Sequence, residues 1–273
     1  ACNTTGLGGY NRTTNITLAC KAMDGYVLNP GETFSFNNVV GERTPEKGYL
    51  KAGVYVSGRS EQGTGGGICQ ASSTLYAAAL RANLEIVVRS EHMFTVAYLP
   101  LGMDATVNWG TQDFQFKNNT EYPIRIDAKV EGGECKIALI GTKTDETSVK
   151  MTYEVTATIP YTTTVTTNPE KVNSVGRTGY NVVTYRHILD KDGKEISKTL
   201  EDYSYYMKSD IVVLKSDLDE EINKPDPEPE VPENPETPEP PETPEPPETP
   251  PEPTNPGETG GSGGGITPID PAG

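Results

Sequence analysis

Two stretches of the chain carry apolar residues at helical spacing. In NRTTNITLACKAMDG (11–25), Ile16, Ala19, Cys20 and Met23 share one helical face, Thr13 or Thr14 offers an N-cap, and Gly25 offers a stop. From Ile68 to Asn83 the chain holds five alanines, two leucines and no glycine or proline, with Leu75, Ala78, Ala79 and Ala82 recurring at i, i+3, i+4 and i+7. Elsewhere the period is two. YVLNPGETFSFNNVVG (26–41) reads as a strand, an Asn-Pro-Gly turn and a second strand, and YLKAGVYVSGR (49–59) and LEIVVRS (84–90) are further strands. ATVNWGTQDFQFKNNTEYPIRIDAKVEGGECKIALIG (105–141) reads as consecutive short strands with a hairpin turn at EGGE (131–134).

Beyond residue 150 the pattern is β alone. TYEVTATIPYTTTV, YNVVTYRHIL and KEISKTLEDYSYY are rich in Val, Thr and Tyr, and DKDGK (190–194) places Asp192-Gly193 between the last two as a hairpin turn. From 217 onward the chain is Pro- and Glu-rich and repeats PETPEP. It holds 17 of the 23 prolines, a density that forbids helix and sheet ladders. Polyproline II or disorder is expected there, and at about 3.1 Å per residue thirty residues would reach about 90 Å. The expected organisation is therefore a domain over 1–145, a β module over 150–216 and a tail over 217–273. The expected fold class is α+β: a mostly antiparallel β domain with a helix starting at a cysteine, then a small all-β module.

Charge changes the picture less than its total implies. The chain of 273 residues has a formal charge of −16, but residues 217–273 carry 16 acidic residues and one basic, which leaves 1–216 close to neutral. No basic footprint for nucleic acid is present, and no apolar run approaches the roughly 18 residues of a membrane span. The chain begins at Ala1 rather than Met and shows no signal peptide, as expected of a fragment or processed product whose targeting segment has been removed.

The cysteines are Cys2, Cys20, Cys69 and Cys135, without a CxxC pair, and the histidines are His92 and His187. That spacing is poor for structural zinc, so no metal ligands and no cofactor are expected. A Cys2–Cys20 disulfide and unpaired thiols both fit the spacing.

The chemistry concentrates in GTGGGICQ (63–70). Cys69 falls in the first turn of the second helix, where unsatisfied N–H groups and the positive end of the dipole favour thiolate. Those N–H groups and the glycine amides are placed to hold an oxyanion, and glycines without Cβ let a peptide backbone approach. No Lys-Ser/Thr follows the glycines, which excludes a phosphate-cradling loop. A small buried thiol after a tight turn is the non-catalytic alternative. A thiol nucleophile needs a base, and His92 follows a strand of the same domain whereas His187 sits inside the β-only section. Asp104, Glu91 and Ser90 are the candidates for orienting the imidazole.

Four segments carry a resemblance to the VanW family: NPGETFSFNNVVGERTPEKGYLKAG, GTGGGICQASSTLYAAALRANLEIVVR, VAYLPLGMDATVNWG and DFQFKNNTEYPIRI, together spanning about 12–142. Residues 150–216, with IPYTTTV, GRTGYNVVTYR and DKDGKEIS, resemble a G-five domain. The first resemblance implies a bacterial surface protein and, by its L,D-transpeptidase members, a cysteine acyltransferase acting on peptidoglycan. Cys69 would then be the nucleophile, His92 its base and Asp104 the orienting acid, with Gly65, Gly66, Gly67, Gln70 and Ser72 binding substrate. The implied partners are donor and acceptor stem peptides, with wall glycans as partners of 150–216. The implied location is extracellular, at the cell surface or wall, with any anchor in a segment absent from this chain. A non-catalytic wall-binding protein and a cysteine peptidase are the rival readings.

Overall fold

The computed structural model describes residues 1–56 and 59–216. The polyproline II expectation for 217–273 lies outside the described residues. In chain order the elements are β1 (Cys2–Thr4), α1 (Tyr10–Met23), β2 (Val27–Leu28), β3 (Thr33–Ser35), α2 (Phe36–Val40), β4 (Lys51–Val56), β5 (Arg59–Thr64), α3 (Ile68–Arg81), β6 (Glu85–Val88), β7 (Gln115–Lys117), β8 (Ile124–Glu131) and β9 (Glu134–Ile140). They are followed by β10 (Ser148–Ile159), β11 (Thr163–Thr166), β12 (Gly179–Leu189), β13 (Glu195–Tyr206) and β14 (Ile211–Leu214). The fold is α+β and mostly antiparallel, as the sequence predicts. No helix among the described residues is long and apolar enough to cross a membrane.

An antiparallel sheet of order β1-β9-β8-β2 carries α1 and α3 packed against it. The helix face read from the sequence is the one that α1 buries: Ile16, Ala19, Cys20 and Met23 are all essentially inaccessible to solvent. The start of α1 differs from expectation. The cap is Gly9, with the Thr13 N–H donating to its carbonyl at 3.0 Å, so Thr13 and Thr14 lie within the helix. The β8–β9 hairpin turns through Gly132 and Gly133, both at positive φ (61° and 77°), as the EGGE turn requires.

A second sheet of order β3-β7-β6 holds an aromatic stack, with Phe34 and Phe116 rings 5.1 Å apart and Phe116 and Phe114 5.7 Å apart. The strand expected to run through TFSFNNVV stops at Ser35 and becomes α2. Two side chains decide this: Ser35 Oγ caps the Asn38 N–H at 3.1 Å, and the Asp113 carboxylate accepts from the Asn37 N–H at 2.8 Å. Both partners are tertiary or local side chains that compete with the sheet ladder.

The helix α3 is enclosed on every side, rather than amphipathic. Ile68 and all of Gln70 to Leu80 are buried, whereas Ala82, expected on the apolar face, is exposed past the helix end. Small polar residues survive this burial because the backbone satisfies them: Ser72 Oγ donates to the Ala105 carbonyl at 2.6 Å and Thr74 Oγ1 to the Gln70 carbonyl at 2.6 Å.

The C-terminal strands form a sheet of order β10-β12-β13, and β11 pairs in parallel with β14. The β12–β13 turn uses Gly193 at φ 78°, with Asp190 Oδ1 accepting from the Asp192 and Lys194 N–H groups. The sheet's outward residues Tyr203, Tyr205, Ile196 and Leu200 are exposed, whereas Val182, Thr184, Ser204 and Tyr206 are buried. Those buried residues face the N-terminal part: a Cβ on Gly102 would meet Thr184 Oγ1 and Val182 Cγ1. Arg186 reaches the Leu84 carbonyl at 2.9 Å and the Met207 N–H donates to the Met93 carbonyl at 2.8 Å.

Candidate active site

The loop ahead of α3 is built on glycine for steric reasons that the structure makes explicit. Gly65 and Gly67 sit at φ 82° and 104°, a region that L side chains rarely adopt. A Cβ on Gly66 would lie 2.7 Å from the backbone carbon and oxygen of Ala52, and one on Gly67 would lie 2.7 Å from Arg12 Cγ. The buried Asn15 locks the loop in place. Its Nδ2 donates to the Gly66 and Leu50 carbonyls, each at 2.9 Å, and its Oδ1 accepts from the Leu50 N–H at 2.8 Å. These glycines therefore press the loop onto α1 and β4.

Cys69 is the second residue of α3, half-buried, in a first turn where the Ile68 and Gln70 N–H groups donate to the Gly65 and Gly67 carbonyls at 3.2 and 2.9 Å. Its sulfur is hydrogen-bonded to His92, accepts from the Val107 N–H at 3.5 Å, and lies 3.6 Å from Thr106 Oγ1. His92 Nδ1 is 2.6 Å from Asp104 Oδ2, and the same carboxylate oxygen accepts the His92 backbone N–H at 2.8 Å. A carboxylate partner fixes Nδ1 as the protonated nitrogen, which turns Nε2 toward the thiol. The Asp104 side chain is fully buried, whereas that of His92 keeps 19% of its surface exposed. The structure thus brings Cys69, His92 and Asp104 into one chain of contacts.

Electrostatics follow from that chain. Burial pushes the Cys69 thiol up, but His92 beside it, the Val107 N–H and Thr106 together bring it down to about 7. Burial pulls His92 down, and Asp104 and the thiolate more than reverse this, to about 9. Burial also opposes charge on Asp104, yet His92, Arg89 and Tyr206 hold it below the ordinary carboxylate range. The thiol loses its proton before the imidazolium does, so thiolate and imidazolium coexist between about pH 7 and 9.

The other expected site residues have different surroundings. Gln70 is fully buried, with Nε2 donating to the Thr5 carbonyl at 2.7 Å and Oε1 accepting from Arg12 at 2.9 Å. Ser72 is fully buried on the Ala105 carbonyl. Both side chains are engaged within the fold rather than turned toward a ligand. Of the alternative orienting groups, Ser90 offers its carbonyl to Thr106, and Glu91 accepts from the Tyr205 N–H at 3.3 Å. His187 lies in β12 between Thr152 and Glu195, within the C-terminal sheet. Cys20 faces Cys135, sulfur to sulfur 3.7 Å, so Cys2 is not its partner, and all four cysteines are free thiols.

Several groups at the site escaped the sequence reading. Arg43 lies near the Cys69 sulfur, where burial pulls its guanidinium down while the sulfur, Tyr49 and Asp113 support the charge. The Tyr98 hydroxyl, bonded to Ser73, is also near that sulfur, and burial and the thiolate push its pKa up. Arg89 is almost fully buried and bridges the Asp104 carbonyl at 2.7 Å and its Oδ1 at 3.3 Å. A charged residue directly after the apolar run IVV is the local trace of that role. A cleft of about 520 Å³ between α3 and β10, lined by Ala77, Arg81, Pro100, Met103 and 149–153, includes none of Cys69, His92 and Asp104.

Comparison with known proteins places the site within a recognised family segment. Residues 11–140 match the family model described as VanW like protein. An uncharacterized protein, YoaR, of Bacillus subtilis (strain 168) is 53% identical over 129 residues, which is 47% of this chain and 43% of that protein. The vancomycin B-type resistance protein VanW of Enterococcus faecalis (strain ATCC 700802 / V583) is 32% identical over 121 residues, 42% of this chain and 44% of that protein. The chain thus spans less than half the length of the curated relatives it matches. A solved structure of an IgA1 protease G5 domain aligns with 27% of this chain and 94% of its own, at 16% identity and a TM-score of 0.17. Cys69, His92 and Asp104 all fall inside residues 11–140, the segment that is similar to the VanW like protein family model.

Proposed function

We propose that the protein is a cell-surface cysteine acyltransferase, an L,D-transpeptidase that cross-links peptidoglycan stem peptides. The observation that carries this reading is the contact chain Cys69–His92–Asp104, with a thiol near pKa 7 at a helix N-terminus. In its first step the Cys69 thiolate attacks the carbonyl of the third residue of a tetrapeptide donor. The carbonyl electrons move to oxygen, and the Cys69 N–H at the start of α3 is the proposed donor to that oxyanion. The tetrahedral intermediate collapses, the C–N bond breaks, and imidazolium His92 gives its proton to the departing D-alanine amine. In the second step neutral His92 takes a proton from the acceptor amine as it attacks the thioester. The sulfur leaves as thiolate, and the starting charges are restored. Asp104 holds the imidazole in the tautomer that both steps use.

The extracellular setting and a wall-glycan role for 150–216 belong to the same proposal. They rest on the VanW-like match, the printed vancomycin-resistance name of one relative and the resemblance of 150–216 to a G-five domain. The domain division 1–145, 150–216 and 217–273 is likewise proposed. The test is incubation with purified tetrapeptide muropeptides, comparing wild type with Cys69→Ala by mass. Dimers that vanish in the variant support the reading. Shortened monomers alone identify a peptidase, and no turnover even by the wild type, with binding retained in the variant, identifies a wall-binding protein.

A further inference from the structure

Asp104 is not held by its own domain segment alone. Tyr206, the last residue of β13 and 2% exposed, donates its hydroxyl to Asp104 Oδ1 and accepts the Gly102 N–H at 2.8 Å. The hydroxyl therefore ties the carboxylate to the backbone two residues before it, across a separation of 102 residues in sequence. Two positions earlier on the same face, the fully buried Ser204 accepts from Arg89 at 2.9 Å, and Asp202 takes the same nitrogen at 3.2 Å. Arg89 in turn holds both the carbonyl and Oδ1 of Asp104. Alternate residues of one strand thus reach the Asp104 carboxylate, Tyr206 directly and Ser204 and Asp202 through Arg89, as the period of two allows.

We infer that Tyr206 is a positioning residue for the Asp104–His92 pair, and that the C-terminal sheet, through Tyr206 and through Ser204 on Arg89, completes the active site. The inference rests on Cys69 acting as the nucleophile. Oδ1 is taken by Tyr206 and Arg89, which leaves Oδ2 to face His92 alone. Without the phenol, Asp104 is free to rotate about its Cα–Cβ and Cβ–Cγ bonds, and the imidazole loses the fixed partner that orients Nε2 toward sulfur. A β module that served only as a spacer would have no buried polar side chain aimed at Asp104.

The groups that titrate or carry charge around this pair come from several elements. Cys69 and Tyr76 lie on α3, Arg89 and Glu91 follow β6, and Tyr98 precedes Asp104 in the loop. Arg43 follows α2, Glu201 and Asp202 are on β13, and Tyr206 is the phenol itself. Tyr206→Phe leaves all the others in place, so a change in the profile reports the phenol.

The test is the pH profile of iodoacetamide alkylation at Cys69 in the full chain, for wild type, Tyr206→Phe and the exposed neighbour Tyr205→Phe. A loosened ion pair raises the thiol pKa, so the Tyr206→Phe midpoint is expected to move up by about half to one unit. Turnover of tetrapeptide muropeptides is expected to fall about tenfold in kcat with KM within about twofold, because the lost contact orients the base rather than the substrate. Tyr205→Phe is expected to overlay wild type in both. Should Tyr206→Phe fail to stay folded, Ser204→Ala removes one of the two β13 contacts to Arg89 while Asp202 and Tyr206 stay in place, and a smaller upward shift is expected. A folded Tyr206→Phe that overlays wild type, or, in its absence, a Ser204→Ala that does so, overturns the inference while the reading of Cys69 stands. A wild-type thiol that titrates like a free cysteine overturns that reading and the inference with it.

Discussion

His92 Nδ1 lies 2.6 Å from Asp104 Oδ2, and the His92 backbone N–H lies 2.8 Å from the same oxygen. One carboxylate oxygen thus fixes both the ring and the chain that carries it. The imidazole has one nitrogen left, and that nitrogen serves the Cys69 sulfur. Everything chemical about the site depends on this double attachment, because a freely rotating imidazole would leave the thiol with an ordinary pKa.

The first consequence is a pH dependence with a defined sign. Cys69 is held down to about 7, so alkylation is expected to rise through that pH rather than through the ordinary range of free thiols. The proposed mechanism also needs the imidazolium as a proton donor, and His92 is raised to about 9. The rate is therefore expected to climb through pH 7 and fall through pH 9. Linkage runs the same way for stability. The contribution of His92, raised above its unfolded value, is complete at low pH and lost as pH rises through 9. That of Asp104, depressed, is lost on acidification. Rates against pH and denaturant melts at pH 6, 8 and 10 check both signs.

Asp104→Asn removes a charge that both His92 and Arg89 face. Turnover is expected to drop by about a hundredfold or more, since the amide does not enforce the imidazole tautomer. Stability is expected to fall by about 3 kcal/mol, because Arg89 is left buried without that counter-charge. Thermal melting and the alkylation midpoint of Cys69, read on the same variant, separate the two effects.

Thiol accessibility gives a third check. Cys2, Cys20 and Cys135 are buried, while Cys69 is partly open. A native, reduced sample is expected to take up about one equivalent of iodoacetamide rapidly at pH 8, and the unfolded chain all four of its cysteines' worth. Rapid uptake of two or more equivalents by the native protein would contradict the buried positions.

The glycine loop is testable by contrast. Gly66→Ala puts a Cβ against the Ala52 and Gly53 backbone, which has no flexible end to move aside, so a loss of about 3 kcal/mol or failure to fold is expected. Gly132→Ala in the β8–β9 turn meets open space and strains only its positive φ, at about 1 kcal/mol. Urea melts of the two variants, side by side, decide whether close packing or backbone freedom is the reason for each glycine.

Much of the molecule is written in local pattern. The buried face of α1, the start of α3 just before Cys69, the two Gly-containing hairpins and the α+β class follow from periodicities of 3.6 and 2 and from residues that tolerate positive φ. These depend on neighbours a few residues apart, which is why the sequence alone determined them. Cys69 at a helix N-terminus belongs to the same class, and its pairing with His92 could be read by elimination from two histidines. What only the tertiary structure decided is every contact that joins distant segments. Asn15 lies off the apolar pattern of α1 but is buried because its amide closes on Leu50 and Gly66. Ser35 and Asp113, 78 residues apart, turn an expected strand into α2. The enclosing shell of α3, the choice of Asp104 over Glu91 and Ser90, the internal duties of Gln70 and Ser72, and the reach of Tyr206 from β13 share this origin. Their partners are set by how strands and helices pack, and no spacing along the chain encodes that.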